Sequence, residues 1–178
     1  DFISVAEYLI FLGYSKEGNI IVHGASAGGL LAGAVLNMKP NLWSGVIANV
    51  PFVDILNSMS DATLTLTPPE YVQWGNPSVD HITYIYIASY SPYDNIQKKN
   101  YPPVLITGGL SDSRVTYWEP AKFAAKLREY STSNQPIMLR MNMDAGHSGA
   151  AGRFDILKEI ALDYIFAIWV YESSLYII

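Results

Sequence analysis

A β-branched run, Ile20-Ile21-Val22, leads through His23 into Gly24-Ala25-Ser26-Ala27-Gly28, and a stretch of small and apolar residues, Gly29-Leu30-Leu31-Ala32-Gly33-Ala34, leaves it. Few arrangements satisfy this pattern. The apolar run fits a buried strand, the small residues fit a closely packed helix, and Ser26 falls on the sharp turn between them. A strand is therefore expected over residues 19–23 and a helix from Ala27 to Met38, stopped before Pro40.

The rest of the chain repeats the alternation. Strands are predicted over residues 45–50, 104–107 and 136–143, and helices over 2–12, 120–130 and 152–171. Residues 52–100 read as irregular, with short helices and many aromatics. In the last helix, Phe154, Leu157, Ile160, Ala161, Tyr164 and Ile168 mark one apolar face, expected to be buried. Strand then helix, repeated, predicts an α/β fold with a mostly parallel sheet and flanking helices. Sites in such sheets form at the carboxyl ends of strands.

Composition closes off several function classes. Half of the 178 residues are hydrophobic and 15% are charged, enough for a real core. Net charge is −5 and the 11 basic residues are scattered, so nucleic acid is not an expected partner. The absence of cysteine excludes disulfides, thiolate metal sites and a cysteine nucleophile. It fits a reducing compartment, and a cytoplasmic location is the expectation. Residues 1–4 carry no basic segment of a signal peptide. Residues 160–178 are the most membrane-like, but Asp163 and Glu172 interrupt them, so they read as a buried terminal helix and no membrane partner is expected.

G-x-S-x-G between a strand and a helix is the nucleophile elbow of the α/β-hydrolase type. The turn lifts the serine hydroxyl above the sheet beside a helix N-terminus. The glycines on either side, Gly24 and Gly28, are expected to let backbone pass close by. The N–H of Ala27 is then the expected oxyanion donor. A serine needs a base, and the base an orienting acid. Of the three histidines, His23 lies in the strand before the elbow and reads as a core residue. His81 reads as a polar loop residue. His147, in Asp144-Ala145-Gly146-His147-Ser148-Gly149, follows the fourth strand and fits the order Ser, Asp, His. Asp112 follows the third strand and is the expected acid. Asp94 and Asp144 are its rivals, with Asp144 better suited to holding the histidine loop. No cofactor or metal is implied, because acyl transfer by such a triad needs none.

Further stretches carry a family likeness: His23-Gly24-Ala25-Ser26-Ala27-Gly28-Gly29, Val50-Pro51-Phe52-Val53-Asp54, Trp74-Gly75-Asn76-Pro77, Ser91-Pro92-Tyr93-Asp94-Asn95, Tyr117-Trp118-Glu119-Pro120-Ala121-Lys122 and Gly152-Arg153-Phe154. With them the chain resembles the C-terminal catalytic region of the prolyl oligopeptidase family of serine peptidases, most closely its oligopeptidase B branch. The resemblance implies a triad of Ser26, Asp112 and His147, and cleavage of short peptides after Arg or Lys. It implies that Glu70 holds the basic side chain, that Phe52 packs against it and that Arg114 binds a substrate carbonyl. Trp74, Tyr93 and Trp118 read as packing residues. Val72 stands where relatives often carry a second acid, Ala25 and Ser148 where they carry glycine.

The resemblance also implies that residues 1–178 are a partial α/β-hydrolase domain. About four strands of the sheet are found, without the first strands, the β-propeller or the upstream tyrosine that gives a second oxyanion donor. The elbow strand should then be an edge, with an exposed apolar patch around residues 19–36. That edge would take a complementary N-terminal chain or a second copy. Three functions fit: a serine oligopeptidase; another serine hydrolase such as a dipeptidyl peptidase, acylaminoacyl peptidase or esterase; or a non-catalytic fragment, inactive without the missing half.

Overall fold

The computed structural model describes residues 1–175. Four parallel strands, β1 (Ile20–Ala25), β2 (Trp43–Asn49), β3 (Val104–Gly109) and β4 (Ile137–Asn142), form one sheet in the order β1-β2-β3-β4. Every connection is a crossover, filled by α2 (Ala27–Met38), by α3 (Ile55–Ser60), α4 (Thr67–Trp74) and α5 (His81–Tyr90), and by α6 (Trp118–Tyr130), while α1 (Phe2–Phe11) precedes β1 and α7 (Arg153–Leu175) follows β4. The predicted strands and long helices are all present, with bounds shifted by a few residues. The segment expected to be irregular holds α3, α4 and α5. His81 is the first residue of α5 rather than a loop residue, because Asp80 caps that helix and accepts from the N–H groups of Ile82 and Thr83.

One face of the sheet is covered by α1, α2 and α6. Val22, Val46, Val104, Ile106 and Ile137 meet Ala32, Val35, Leu36, Phe123 and Leu127 there. The other face is covered by α7, whose Phe166 and Val170 pack on Ile47 and Leu105. A third cluster of Leu30, Phe52, Ile55, Met59, Ile87 and Val115 joins α3 and α5 to α2 and to the segments that follow β2 and β3.

The rotation of α7 corrects the sequence reading. Phe154, Leu157, Ile160, Tyr164 and Ile168, expected inside, are exposed, Phe154 by 74%. The buried side chains lie on another stripe. Gly45 on β2 is the reason: a Cβ there would come within 3.2 Å of Val170, so the missing side chain is the seat for that stripe. Apolar residues run almost all round α7, so periodicity alone could not choose the face. No helix among the described residues is long and apolar enough to cross a membrane. The last three residues of the membrane-like stretch, 176–178, lie outside the described residues.

Strand β1 is an edge, as expected, but the exposed apolar surface is not centred on residues 19–36. Ile20 and Ile21 are half-buried, and most of α2 is buried between the sheet and α3. The surface lies on α1, through Phe2, Val5 and Leu9, on Leu12 just after it, and on α7. His23 also departs from expectation. On an edge strand it points to solvent, 56% exposed, beside Asn49 Nδ2 at 3.2 Å and Asp163 Oδ2 at 3.7 Å.

One buried carboxyl gives the fold a pH dependence. Glu119 of α6 is 1% exposed and ties down the start of α3, accepting from Asp54 N–H at 2.9 Å and Ser58 Oγ at 2.6 Å. Burial, with the charge of Asp54 adding to it, pushes this carboxyl from an ordinary 4.5 up to about 7. Below pH 4.5 it is protonated whether folded or not. Between 4.5 and about 7 the folded chain holds a proton that the unfolded chain has released, so stability falls as pH rises through that window. The full loss is about 3 kcal/mol. Glu119→Gln keeps one acceptor for Asp54 N–H and should flatten this slope, read from denaturation midpoints at acid and alkaline pH. A variant with the wild-type slope would assign the effect to another group.

Candidate active site

Ser26 stands between β1 and α2 with φ +56° and ψ −120°, a backbone region that non-glycine residues rarely occupy. Such strain amounts to about 1–3 kcal/mol and persists only where the surroundings enforce it. They do so here: Ser26 N–H donates to Asn49 O at 2.9 Å, and Phe52 N–H donates to Ser26 O at 3.0 Å. Gly24 is required, because a Cβ on it would lie 2.1 Å from the carbonyl oxygen of Gly28. On the helix side the requirement falls on Gly29 rather than on Gly28. A Cβ at Gly29 would meet Pro51 Cβ at 2.5 Å, whereas a Cβ at Gly28 would meet nothing within 4 Å.

Asp112 lies beyond β3 and His147 beyond β4, so three strand ends converge. His147 Nε2 is 3.0 Å from Ser26 Oγ, and His147 Nδ1 is 2.8 Å from Asp112 Oδ2. The Asp112 side chain is 1% exposed. Its Oδ1 accepts from the N–H groups of Arg114 at 2.8 Å and Val115 at 2.9 Å, which fixes the carboxylate and turns Oδ2 to the imidazole. With its Nδ1 proton donated to Asp112, the ring presents an Nε2 lone pair to the Ser26 hydroxyl. The arrangement can take a proton from Ser26 and return it to a leaving group. The rivals are elsewhere: Asp94 is exposed and accepts from Ser91 Oγ, and Asp144 is exposed on the histidine loop.

Ala27 is the first residue of α2, and its N–H belongs to the helix end that has no intrahelical acceptor. A cleft of about 330 Å³ joins Ser26 and Ala27 to Phe52, Leu66, Glu70, Trp74, Arg114 and Val115. All four predicted binding and oxyanion residues therefore share one cleft with the serine. A second cavity of about 220 Å³ shares Phe52, Leu66, Glu70 and Arg114 with it and ends on Ser58, Thr116 and Glu119. Thr116 Oγ1 is buried there with no hydrogen-bond partner among the described residues. Glu70 Oε2 accepts from Trp74 Nε1 at 2.9 Å, and the Phe52 and Trp74 rings meet edge to face at 5.6 Å. Trp74 is thus a cleft wall, not only a packing residue. Its position four residues after Glu70 on one helix was the available clue. Val72 is 90% exposed and lines neither cavity. Tyr93 packs under Lys122 and Lys126, as expected of a packing residue.

A parallel sheet with a strained serine between a strand and a helix defines the α/β-hydrolase class. The chain belongs to the prolyl oligopeptidase family, whose sequence pattern it matches over residues 1–173. It is 48% identical to dipeptidyl aminopeptidase BI of Pseudoxanthomonas mexicana, over 93% of this chain and 23% of that protein. It is 46% identical to protease 2 of Moraxella lacunata, over 93% and 24%. The structure of oligopeptidase B from Leishmania major superposes with a TM-score of 0.94 at 43% identity, covering 97% of this chain and 24% of that one. The chain spans about a quarter of the length of these relatives.

Proposed function

We propose that this chain carries the catalytic centre of a serine oligopeptidase that hydrolyses short peptides after Arg or Lys. The observation that carries the reading is the continuous hydrogen-bonded row from Ser26 Oγ through His147 to Asp112 Oδ2. Ser26 Oγ attacks the scissile carbonyl while His147 Nε2 takes its proton. Asp112 stabilises the imidazolium that results, and Ala27 N–H receives the developing oxyanion. His147 then protonates the leaving amine. Water, deprotonated by the same imidazole, releases the acyl group from Ser26.

The substrate class rests on Glu70. In a cleft walled by Phe52, Leu66 and Trp74, its carboxylate is the group suited to a long basic side chain, while Arg114 lines the same cleft and can donate to a carbonyl oxygen. The adjoining cavity gives such a side chain room beyond Glu70. With Val72 pointing to solvent, one carboxylate at the mouth carries the selectivity. Glu70→Gln should lower kcat/KM for Arg and Lys substrates about 10²-fold against a Phe substrate, as expected when one partner of a charge pair desolvated by the bound side chain is lost. An unchanged Arg-to-Phe ratio would refute the pocket assignment and leave the other serine hydrolases, a dipeptidyl peptidase among them, as the better reading.

We further infer that the β1 edge and the apolar faces of α1 and α7 meet a complementary N-terminal segment, joined to this chain or supplied separately. The outer edge of β1, without a neighbouring strand among the described residues, and the exposed Phe2, Val5, Leu9, Leu157 and Tyr164 support this. Sedimentation with that segment added should show a complex that labels faster at Ser26 with a fluorophosphonate. A chain that ignores the segment and stays monomeric would refute it.

A further inference from the structure

The loop that carries His147 leaves the sheet at Asn142 and reaches α7 just after Ala150. Both of its ends are tied to one side chain. Asn142 Nδ2 donates to Glu159 Oε1 at 2.7 Å, and Ala150 N–H donates to Glu159 Oε2 at 3.2 Å. Between these ends the loop is closed by Gly149 N–H donating to Gly146 O at 3.2 Å. It is also tied to the Asp112 loop, where Ser111 N–H donates to Ala145 O at 3.1 Å. Gly149 has φ +77°, and a Cβ on it would lie 2.2 Å from Glu159 Oε2. The carboxylate passes through space that only glycine leaves open. Asp144, the residue expected to hold this loop, contributes its backbone N–H, donated to Asn142 Oδ1 at 3.1 Å.

Glycines at 146 and 149 leave the backbone beside the imidazole free to take other conformations once the ends of the loop are released. Resting on the reading of His147 as the general base, we propose that Glu159 is a positioning residue, which clasps both ends of the loop and so sets the distance from His147 Nε2 to Ser26. Glu159 acts through Asn142 and Ala150 and needs no contact with substrate. A displacement of about 1 Å in such a group lowers a rate about 10²-fold. The clasp also makes α7 part of the active site: the helix that seats Phe166 and Val170 on the sheet holds, from its first turns, the loop of the base.

The test uses two readouts on this chain, alone and with the complementary segment proposed above. One is the rate of Ser26 labelling by a fluorophosphonate. The other is the far-downfield proton resonance of His147 Nδ1–H bonded to Asp112, which needs no turnover. Glu159→Ala should slow labelling and lower kcat about 10²-fold with KM unchanged, and broaden the downfield proton away. Glu159→Gln, which keeps one acceptor oxygen, should recover part of both. Lys158→Met, on the exposed side of the same turn, should change neither. A Glu159→Ala chain that keeps the downfield proton and the wild-type labelling rate overturns the proposal. If wild type shows the downfield proton but never labels, and Glu159→Ala loses that proton, the clasp stands and the hydrolase reading falls.

Discussion

Ser26→Ala and His147→Ala should each lower kcat by about 10⁶-fold, and the double variant should be no slower than either alone. The reason lies in the 3.0 Å contact between Ser26 Oγ and His147 Nε2. The hydroxyl is a poor nucleophile without a group to take its proton, and the imidazole has nothing to activate without the hydroxyl. Removing one therefore removes the work of the other. The residual rate above water should come from the N–H of Ala27 and from binding in the cleft of Phe52, Glu70 and Trp74, neither of which the substitutions touch. Substrate affinity, measured as the inhibition constant of a product peptide ending in Arg, should be nearly unchanged. The backbone should also hold, since Ser26 is fixed by main-chain bonds to Asn49 and Phe52. A His147→Ala chain within tenfold of wild type would remove His147 from the reaction and with it the function proposed for this site.

The elements around that contact were legible in the sequence because each has a local cause. The β-branched run, the small-residue helix and the Gly-Pro punctuation fix β1, α2 and the strand ends, so Ser26, Asp112 and His147 could be placed at one edge of a sheet. Ala27 follows from the same elbow, whereas Glu70, Phe52 and Arg114, which line the same cleft, were marked by the family resemblance and not by any local pattern. What was not legible depends on contacts between distant segments. The seat at Gly45 chooses which stripe of α7 is buried, and nothing near residues 154–170 encodes it. His23 reads as a core residue from its apolar neighbours, but its strand is an edge, so its side chain meets Asn49 and solvent. The glycine needed after the elbow is Gly29, not Gly28, because Pro51 arrives from β2 at that point. Glu159 looks like any charge on a helix until Asn142 and Ala150 are brought to it.

Asp112→Asn separates the acid's electrostatic role from its structural one. Asp112 Oδ1 accepts two backbone N–H groups, from Arg114 and Val115, and Oδ2 faces His147 Nδ1 at 2.8 Å. In the amide, the oxygen must stay with the two N–H donors, because an NH₂ group there would face donor to donor. The NH₂ group is then turned to the imidazole, which can accept from it only through an unprotonated Nδ1. The ring proton moves to Nε2 and points at Ser26 Oγ, so the base can no longer take the serine proton. In serine hydrolases this tautomer change lowers kcat about 10⁴-fold with the geometry intact. The same loss is expected here, with KM and the unfolding midpoint close to wild type, since both bonds that hold the Asp112 loop survive. Asp112→Ala differs in kind: it also frees the N–H groups of Arg114 and Val115, so stability should fall along with rate. Asp94→Asn and Asp144→Asn, the rivals by chain order, should leave kcat within a few-fold, because neither carboxylate faces the imidazole. A fall of about 10⁴ in either of them, or its absence in Asp112→Asn, would mean that a different acid orients His147.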